Sequence, residues 1–150
     1  YSVERTHQLA NFADFCNECG NCDVFCPEDG GPYVIKPRFF GGEASYREGK
    51  HLDGFYLERV LPGGSRLRGR IDGVEHTLVC VPGAPDRFED DGVAAELDPE
   101  TGRVVSARPF FRAQAGHTLE TWRYLAMRAL LRGILDAGAI TPVGALHAHG

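Results

Sequence analysis

Leu67-Arg68-Gly69-Arg70-Ile71-Asp72-Gly73-Val74-Glu75-His76-Thr77-Leu78 is the stretch whose reading decides the fold. An Asp-Gly pair between two β-compatible runs signals a two-residue hairpin, because both central residues of the favoured turn take positive φ. Closing the chain at Asp72-Gly73 pairs Ile71 with Val74, Arg70 with Glu75, Gly69 with His76 and Leu67 with Leu78. Side chains alternate across a strand, so this register puts Leu67, Gly69, Leu78 and Cys80 on one face. Arg66, Arg68, Arg70, Glu75 and Thr77 fall on the other. The first face is expected to be core. The arginine face reads as solvated and paired with Glu75, with the grip of an acidic partner or a cofactor phosphate as the alternative.

Outward from the hairpin, residues 53–111 read as antiparallel strands. A second turn is expected at Asp98-Pro99-Glu100-Thr101-Gly102, with Pro at the first turn position and Gly102 free to go left-handed. Residues 118–137 read as one long helix, with Thr118 as N-cap, Glu120 in the first turn, and Gly138 and Pro142 ending it. Leu119, Trp122, Leu125, Ala126, Ala129, Leu130, Gly133, Ile134 and Ala137 form an apolar stripe expected to pack on the sheet. Residues 27–50 are rich in Pro and Gly and read as irregular loop apart from a short Tyr33–Ile35 strand. His76, opposite Gly69, has room for its ring and reads as a core histidine. Cys80 reads as a buried, inert thiol rather than a ligand. His147 and His149 read as a frayed tail without function.

The chain has 150 residues, 43% hydrophobic and 25% charged, enough for one domain with its own core. Sixteen basic against 21 acidic residues give a net charge of −5, which argues against nucleic acid or an anionic membrane as partner. No run approaches the roughly 18 apolar residues of a membrane span, no signal peptide is visible, and a cytoplasmic location is expected. There is no G-x-G-x-x-G after a strand, no P-loop and no G-x-S-x-G, so the chain offers no nucleotide site and no catalytic nucleophile. A chain starting at Tyr1 reads as part of a longer protein that lacks an N-terminal portion.

Four of the five cysteines crowd into eleven residues: Cys16, Cys19, Cys22 and Cys26, followed by Pro27. Disulfides closing two-residue loops gain little, so ligation is the better reading. The spacing C-x2-C-x2-C-x3-C-P is that of bacterial iron–sulfur ferredoxins, in which closely spaced thiolates converge from one coiled loop. Gly20, with Asn17 and Asn21, supplies positions that tolerate positive φ. A zinc site usually separates its ligand pairs by a dozen or more residues, and a redox C-x-x-C leaves two thiols unused; both fit less well. Phe12 and Phe15 are expected to cap the loop with apolar surface.

Phe15-Cys16-Asn17-Glu18-Cys19-Gly20-Asn21-Cys22, continued by Phe25-Cys26-Pro27, Gly30-Gly31-Pro32-Tyr33 and Lys36-Pro37-Arg38-Phe39-Phe40, resembles a particular family. It is similar to the C-terminal ferredoxin-like region of the selenate reductase family, large FAD-dependent oxidoreductases related to the small subunit of glutamate synthase. The likeness covers about residues 10–45. In that family this run is the second of two cysteine motifs, and the first is absent here. The resemblance implies a 4Fe–4S cluster on Cys16, Cys19, Cys22 and Cys26 that passes single electrons to or from a flavin-containing domain or subunit. In two-cluster ferredoxins the fourth cysteine of this run ligates the other cluster, which leaves two roles open for Cys26: completing this cluster, or serving a second one completed upstream. Asp14, Glu18, Asp23, Glu28 and Asp29 add negative charge around the thiolates and predict a low potential. The expected fold class is α+β: a ferredoxin-like cluster segment over 1–45, then a small antiparallel sheet and one long C-terminal helix over 46–150. The alternative is a non-catalytic interaction domain in which zinc or a cluster is a structural clip and the sheet with its helix docks a partner subunit.

Overall fold

The structure, a computed structural model, describes residues 10–25, 33, 36–60, 63–135 and 143. Its strands are β1 (Asn11–Phe12), β2 (Arg38–Phe40), β3 (Gly54–Val60), β4 (Gly64–Ile71), β5 (Val74–Cys80), β6 (Asp86–Glu89), β7 (Val93–Leu97) and β8 (Val104–Pro109). They lie side by side in chain order in one eight-stranded sheet. β1 and β2 run parallel to their next neighbours, and every later pairing is antiparallel. The helices fully within the described residues are α1 (Asn21–Phe25), α2 (Glu43–Glu48) and the long C-terminal α3 (Thr121–Leu135). The class is α+β, with a mixed sheet larger than the small antiparallel one expected.

The β4–β5 hairpin has the register that its turn residues dictate, from Ile71 opposite Val74 to Leu67 opposite Leu78. Asp72 and Gly73 both take positive φ, 53° and 73°, as a primed turn needs. Asp53 locks the turn by accepting hydrogen bonds from the Asp72 and Gly73 N–H groups at 2.7 and 3.0 Å. The second hairpin also closes as expected. Asp98 Oδ1 accepts from the Glu100 and Thr101 N–H groups, and Gly102 turns left-handed at φ 68°.

Because every antiparallel pairing is in step, one row of side chains crosses the sheet: Leu57, Leu67, Leu78, Phe88 and Ala95, each opposite the next. All five are buried. Burying a large apolar side chain stabilises by about 1.5–3 kcal/mol, so this row is the spine of the core. Gly69 serves the row beside it. A Cβ there would come within 2.8 Å of the Phe55 ring and 3.1 Å of Met127 Cε, so the space opposite His76 belongs to Phe55 and Met127. The imidazole, itself buried, stacks instead on Phe88 at 5.6 Å.

Segment 36–50 departs from the irregular loop expected of it. Arg38-Phe39-Phe40 is too short to show a period, yet Phe39 pairs with Phe55 and Phe40 with Tyr56, so the growing sheet recruits it as β2. Helix α2 then covers the face that carries the alternating arginines. Arg70 is therefore not solvated. It is 5% exposed, donates to the Gly49 and Leu52 carbonyls at 3.0 and 2.7 Å and to Glu75 at 2.9 Å, and lies 4.6 Å from the centre of the Tyr46 ring. Arg66 and Arg68 stay at the surface and pair with Glu58 and Glu43. Of the expected Tyr33–Ile35 strand, Val34 and Ile35 lie outside the described residues.

Helix α3 packs across the opposite face, and Leu119, Leu130 and Ile134 of the expected stripe pack against the core, but the helix is rotated away from the rest of that stripe. Its buried residues are Tyr124, Met127 and Leu131, whereas Trp122 and Leu125 are 38% and 50% exposed. The cause is polar. Asp86 is a buried carboxylate on β6, and it accepts from the Tyr124 hydroxyl at 2.9 Å and Arg128 Nε at 2.6 Å. A buried carboxylate must be paired and hydrogen-bonded, so the helix turns toward the sheet the side that supplies the partners. Helical bonding starts at Thr121, and the Thr118 hydroxyl faces the Gly116 carbonyl at 3.4 Å instead of capping the helix. Gly138 and Pro142 lie outside the described residues.

Asp86→Ala should destabilise the fold by about 3–5 kcal/mol, because it strands a guanidinium and a hydroxyl in the interior. Tyr124→Phe should cost only about 1–2 kcal/mol. Urea denaturation of both variants checks this, and equal, small losses would contradict the role given to Asp86.

Candidate metal centre

The cysteine run starts where β1 ends. Asn11 N–H donates to the Pro37 carbonyl at 2.8 Å, and β1 pairs with β2 through Asn11–Arg38 and Phe12–Phe39. A single turn of 3₁₀ helix over Ala13–Phe15 follows, closed by the Cys16 N–H on the Ala13 carbonyl. Two side chains tie this turn and the next to the sheet. Asp14 Oδ2 accepts from the Gly41 N–H at 3.1 Å, and Glu18 pairs with Arg38 at 3.1 Å. Arg38 also donates to the Tyr33 carbonyl at 3.0 Å. The cysteine loop is thus held to the sheet that residues 54–109 build, through the β2–β3 pairing.

Between Cys16 and Cys22 the chain curls around Cys19. Glu18 and Gly20, on either side of it, take φ of 53° and 75°. Gly20 does what its missing Cβ allows. The second left-handed residue is Glu18 rather than Asn17 or Asn21: the Asn17 side chain accepts from the Cys19 N–H at 3.3 Å, and Asn21 opens α1. Cys16 and Cys22 are half-buried and Cys19 is exposed. Cys26 lies outside the described residues, as do His147 and His149. The three described thiols sit on one short loop. As donors, closely spaced free thiols on a curled surface loop fit an iron–sulfur cluster in kind and in spacing.

The surroundings of this loop are apolar and open. Phe12 packs on Phe15 with ring centres 4.9 Å apart, yet Phe15 is 82% exposed, and Val24 and Phe25 on α1 are 77% and 84% exposed. Phe15 therefore does not seal the loop. A cavity of about 310 Å³ reaches Cys16 from the side of α2 and is also lined by Asp14, Glu18 and Arg38.

Cys80 stands apart, on β5, with three strands between it and β1. Cys80 is half-buried against the core rather than fully buried, and partial burial with a hydrogen bond to Asp86 pushes its thiol up to about 12, which makes it poor material for a ligand. A second cluster of donors has no counterpart in the sequence reading. Asp90, Asp91 and His117 come together between the β6–β7 turn and the segment leading to α3. Twenty-six residues separate the histidine from the nearer aspartate, so no local spacing could have revealed them; the one sequence cue is Asp-Asp-Gly at a turn. Burial alone would raise the Asp90 carboxyl, but the Gly92 and Val93 N–H groups and His117 outweigh it and hold the group below the usual carboxylate range.

The chain matches no protein-family model, no curated protein and no solved structure.

Alkylation of the native protein at pH 8 should modify Cys19 early and Cys80 last, read by peptide mass spectrometry. Equal rates at the two residues would contradict the half-buried, protonated state assigned to Cys80.

Proposed function

We propose that this chain is the iron–sulfur electron-transfer module of a larger flavin-dependent oxidoreductase, with Cys16, Cys19, Cys22 and Cys26 as the cluster ligands. The observation that carries this reading is the C-x2-C-x2-C-x3-C-P run, three of whose thiols lie on one curled surface loop tied to the sheet. When bound, a 4Fe–4S cluster supplies reversible one-electron transfer. The left-handed bends at Glu18 and Gly20 orient Cys19, and the Asp14 and Glu18 contacts fix the loop against β2.

Exposed Phe15, Val24 and Phe25 beside the donors suit a module that docks against a flavin-bearing partner, which would cover them and exclude water. Glu18 is paired with Arg38 and Asp14 with a backbone N–H, so the low potential rests mainly on the thiolates themselves. Kinship of the cysteine segment with the ferredoxin-like region of the selenate reductase family belongs to the same proposal. So does a reducing, cytoplasmic setting, where thiols remain free to ligate. The alternative role for Cys26 is as ligand of a second cluster shared with an upstream motif.

Anaerobic reconstitution should give a brown protein with broad absorption near ~400 nm, containing iron and acid-labile sulfide, with a negative midpoint potential. Cys19→Ala should abolish both iron and sulfide. Full iron and sulfide in that variant would overturn the ligand assignment. A colourless protein that holds zinc would instead support the metal-clipped docking domain.

A further inference from the structure

On the far side of the sheet from the cysteine loop, the β6–β7 turn, segment 112–120 and the start of α3 enclose a cavity of about 360 Å³. Asp90, Asp91 and His117 line it, and one donor atom from each lies within 4.8 Å of the other two. We propose that Asp90, Asp91 and His117 form a binding site for a divalent first-row metal ion, with open coordination positions facing the cavity. One imidazole and two carboxylates are a donor set suited to Mn²⁺, Fe²⁺ or Zn²⁺.

The geometry is already that of a site. His117 Nε2 lies 2.8 Å from Asp90 Oδ2. This contact is a hydrogen bond whose proton a bound cation would replace, taking both atoms as ligands. Both partners are held in place. Asp90 Oδ1 accepts from the Gly92 and Val93 N–H groups at 2.8 and 2.9 Å, which fixes the carboxylate with Oδ2 turned to His117. The His117 ring rests against Gly92, where a Cβ would come within 2.6 Å of Cδ2.

A second observation points to a ligand in the same cavity. His76 lines its wall and is 4% exposed. Its Nε2 faces the Arg123 guanidinium at 2.8 Å and must therefore accept, which puts the proton of the neutral ring on Nδ1. That Nδ1 is buried and has no partner among the described residues. A buried, unpaired N–H in a polar cavity is explained by a bound group with a lone pair, such as a water or anion carried on the metal. Charge agrees: with Arg123 and Glu120 paired to each other, Asp90 and Asp91 face the cavity against Arg112.

Mn²⁺ is the probe, because carboxylate and imidazole suit it while thiolates prefer softer ions. Loss of the free-ion EPR signal during titration of the full chain should report one bound Mn²⁺. Asp91→Asn and His117→Ala should each weaken binding by about tenfold or more. Gly92→Ala should weaken it by displacing the ring, and Cys19→Ala should bind as the unmodified chain does. Asp91 is exposed, so Asp91→Asn tests the site even if His117→Ala fails to fold. No saturable binding up to millimolar Mn²⁺, or binding unchanged in Asp91→Asn, overturns the proposal. Binding lost in Cys19→Ala would assign the ion to the cysteine loop and equally overturn it.

Discussion

A carboxylate in the interior organises this molecule. Asp86 takes a hydrogen bond from Tyr124, an ion pair from Arg128 and the thiol of Cys80, so strands β5 and β6 and helix α3 share one buried acceptor. An unpaired charge in such a place would be costly, and the pairing can be satisfied in only one rotation of the helix. That rotation then decides which apolar groups reach the core: Tyr124, Met127 and Leu131 go in, and Trp122 and Leu125 stay out. It also sets Arg123 against His76 and Ile71, so the helix is stitched to the β4–β5 hairpin as well.

On the opposite face a cation plays the matching part. Arg70 holds α2 to the sheet through two carbonyls and the Tyr46 ring, and burial in this contact raises the Tyr46 phenol to about 12. Helix α2 follows β2, and β2 pairs with β1, so the segment carrying the cysteines inherits its position from this face of the sheet. The loop itself needs little burial. Its conformation is held by backbone bends and a few polar ties, an arrangement suited to presenting donor atoms at a surface.

The two groups of donors differ in chemistry and in place. Soft thiols lie at the β1 end, close in sequence, with Cys19 exposed and Cys16 and Cys22 half-buried. Oxygen and imidazole donors lie around the β6–β7 turn, drawn from segments distant in sequence and lining a cavity, with Asp91 and His117 exposed. Neither set borrows a residue from the other, so the chain has room for two separate binding chemistries on one scaffold.

The sequence by itself determined what depends on neighbours along the chain. Asp72-Gly73 admits essentially one hairpin, and its register follows from the alternation of side chains; Asp98 to Gly102 closes the next turn by the same local logic. The crowding of the cysteines was equally plain, because residues of one loop are close in sequence. Tertiary structure decided the rest. Apolarity alone could not orient α3, because the preference lay in a hydroxyl and a guanidinium answering Asp86. Arg70 read as solvated because nothing in Glu43–Glu48 announces a helix that will cover it, and Asp90 meets His117 only because the chain returns across the sheet. Local turns are legible because their energy is spent within a few residues; long-range polar pairing is not, because its partners are chosen by the packing of everything between them.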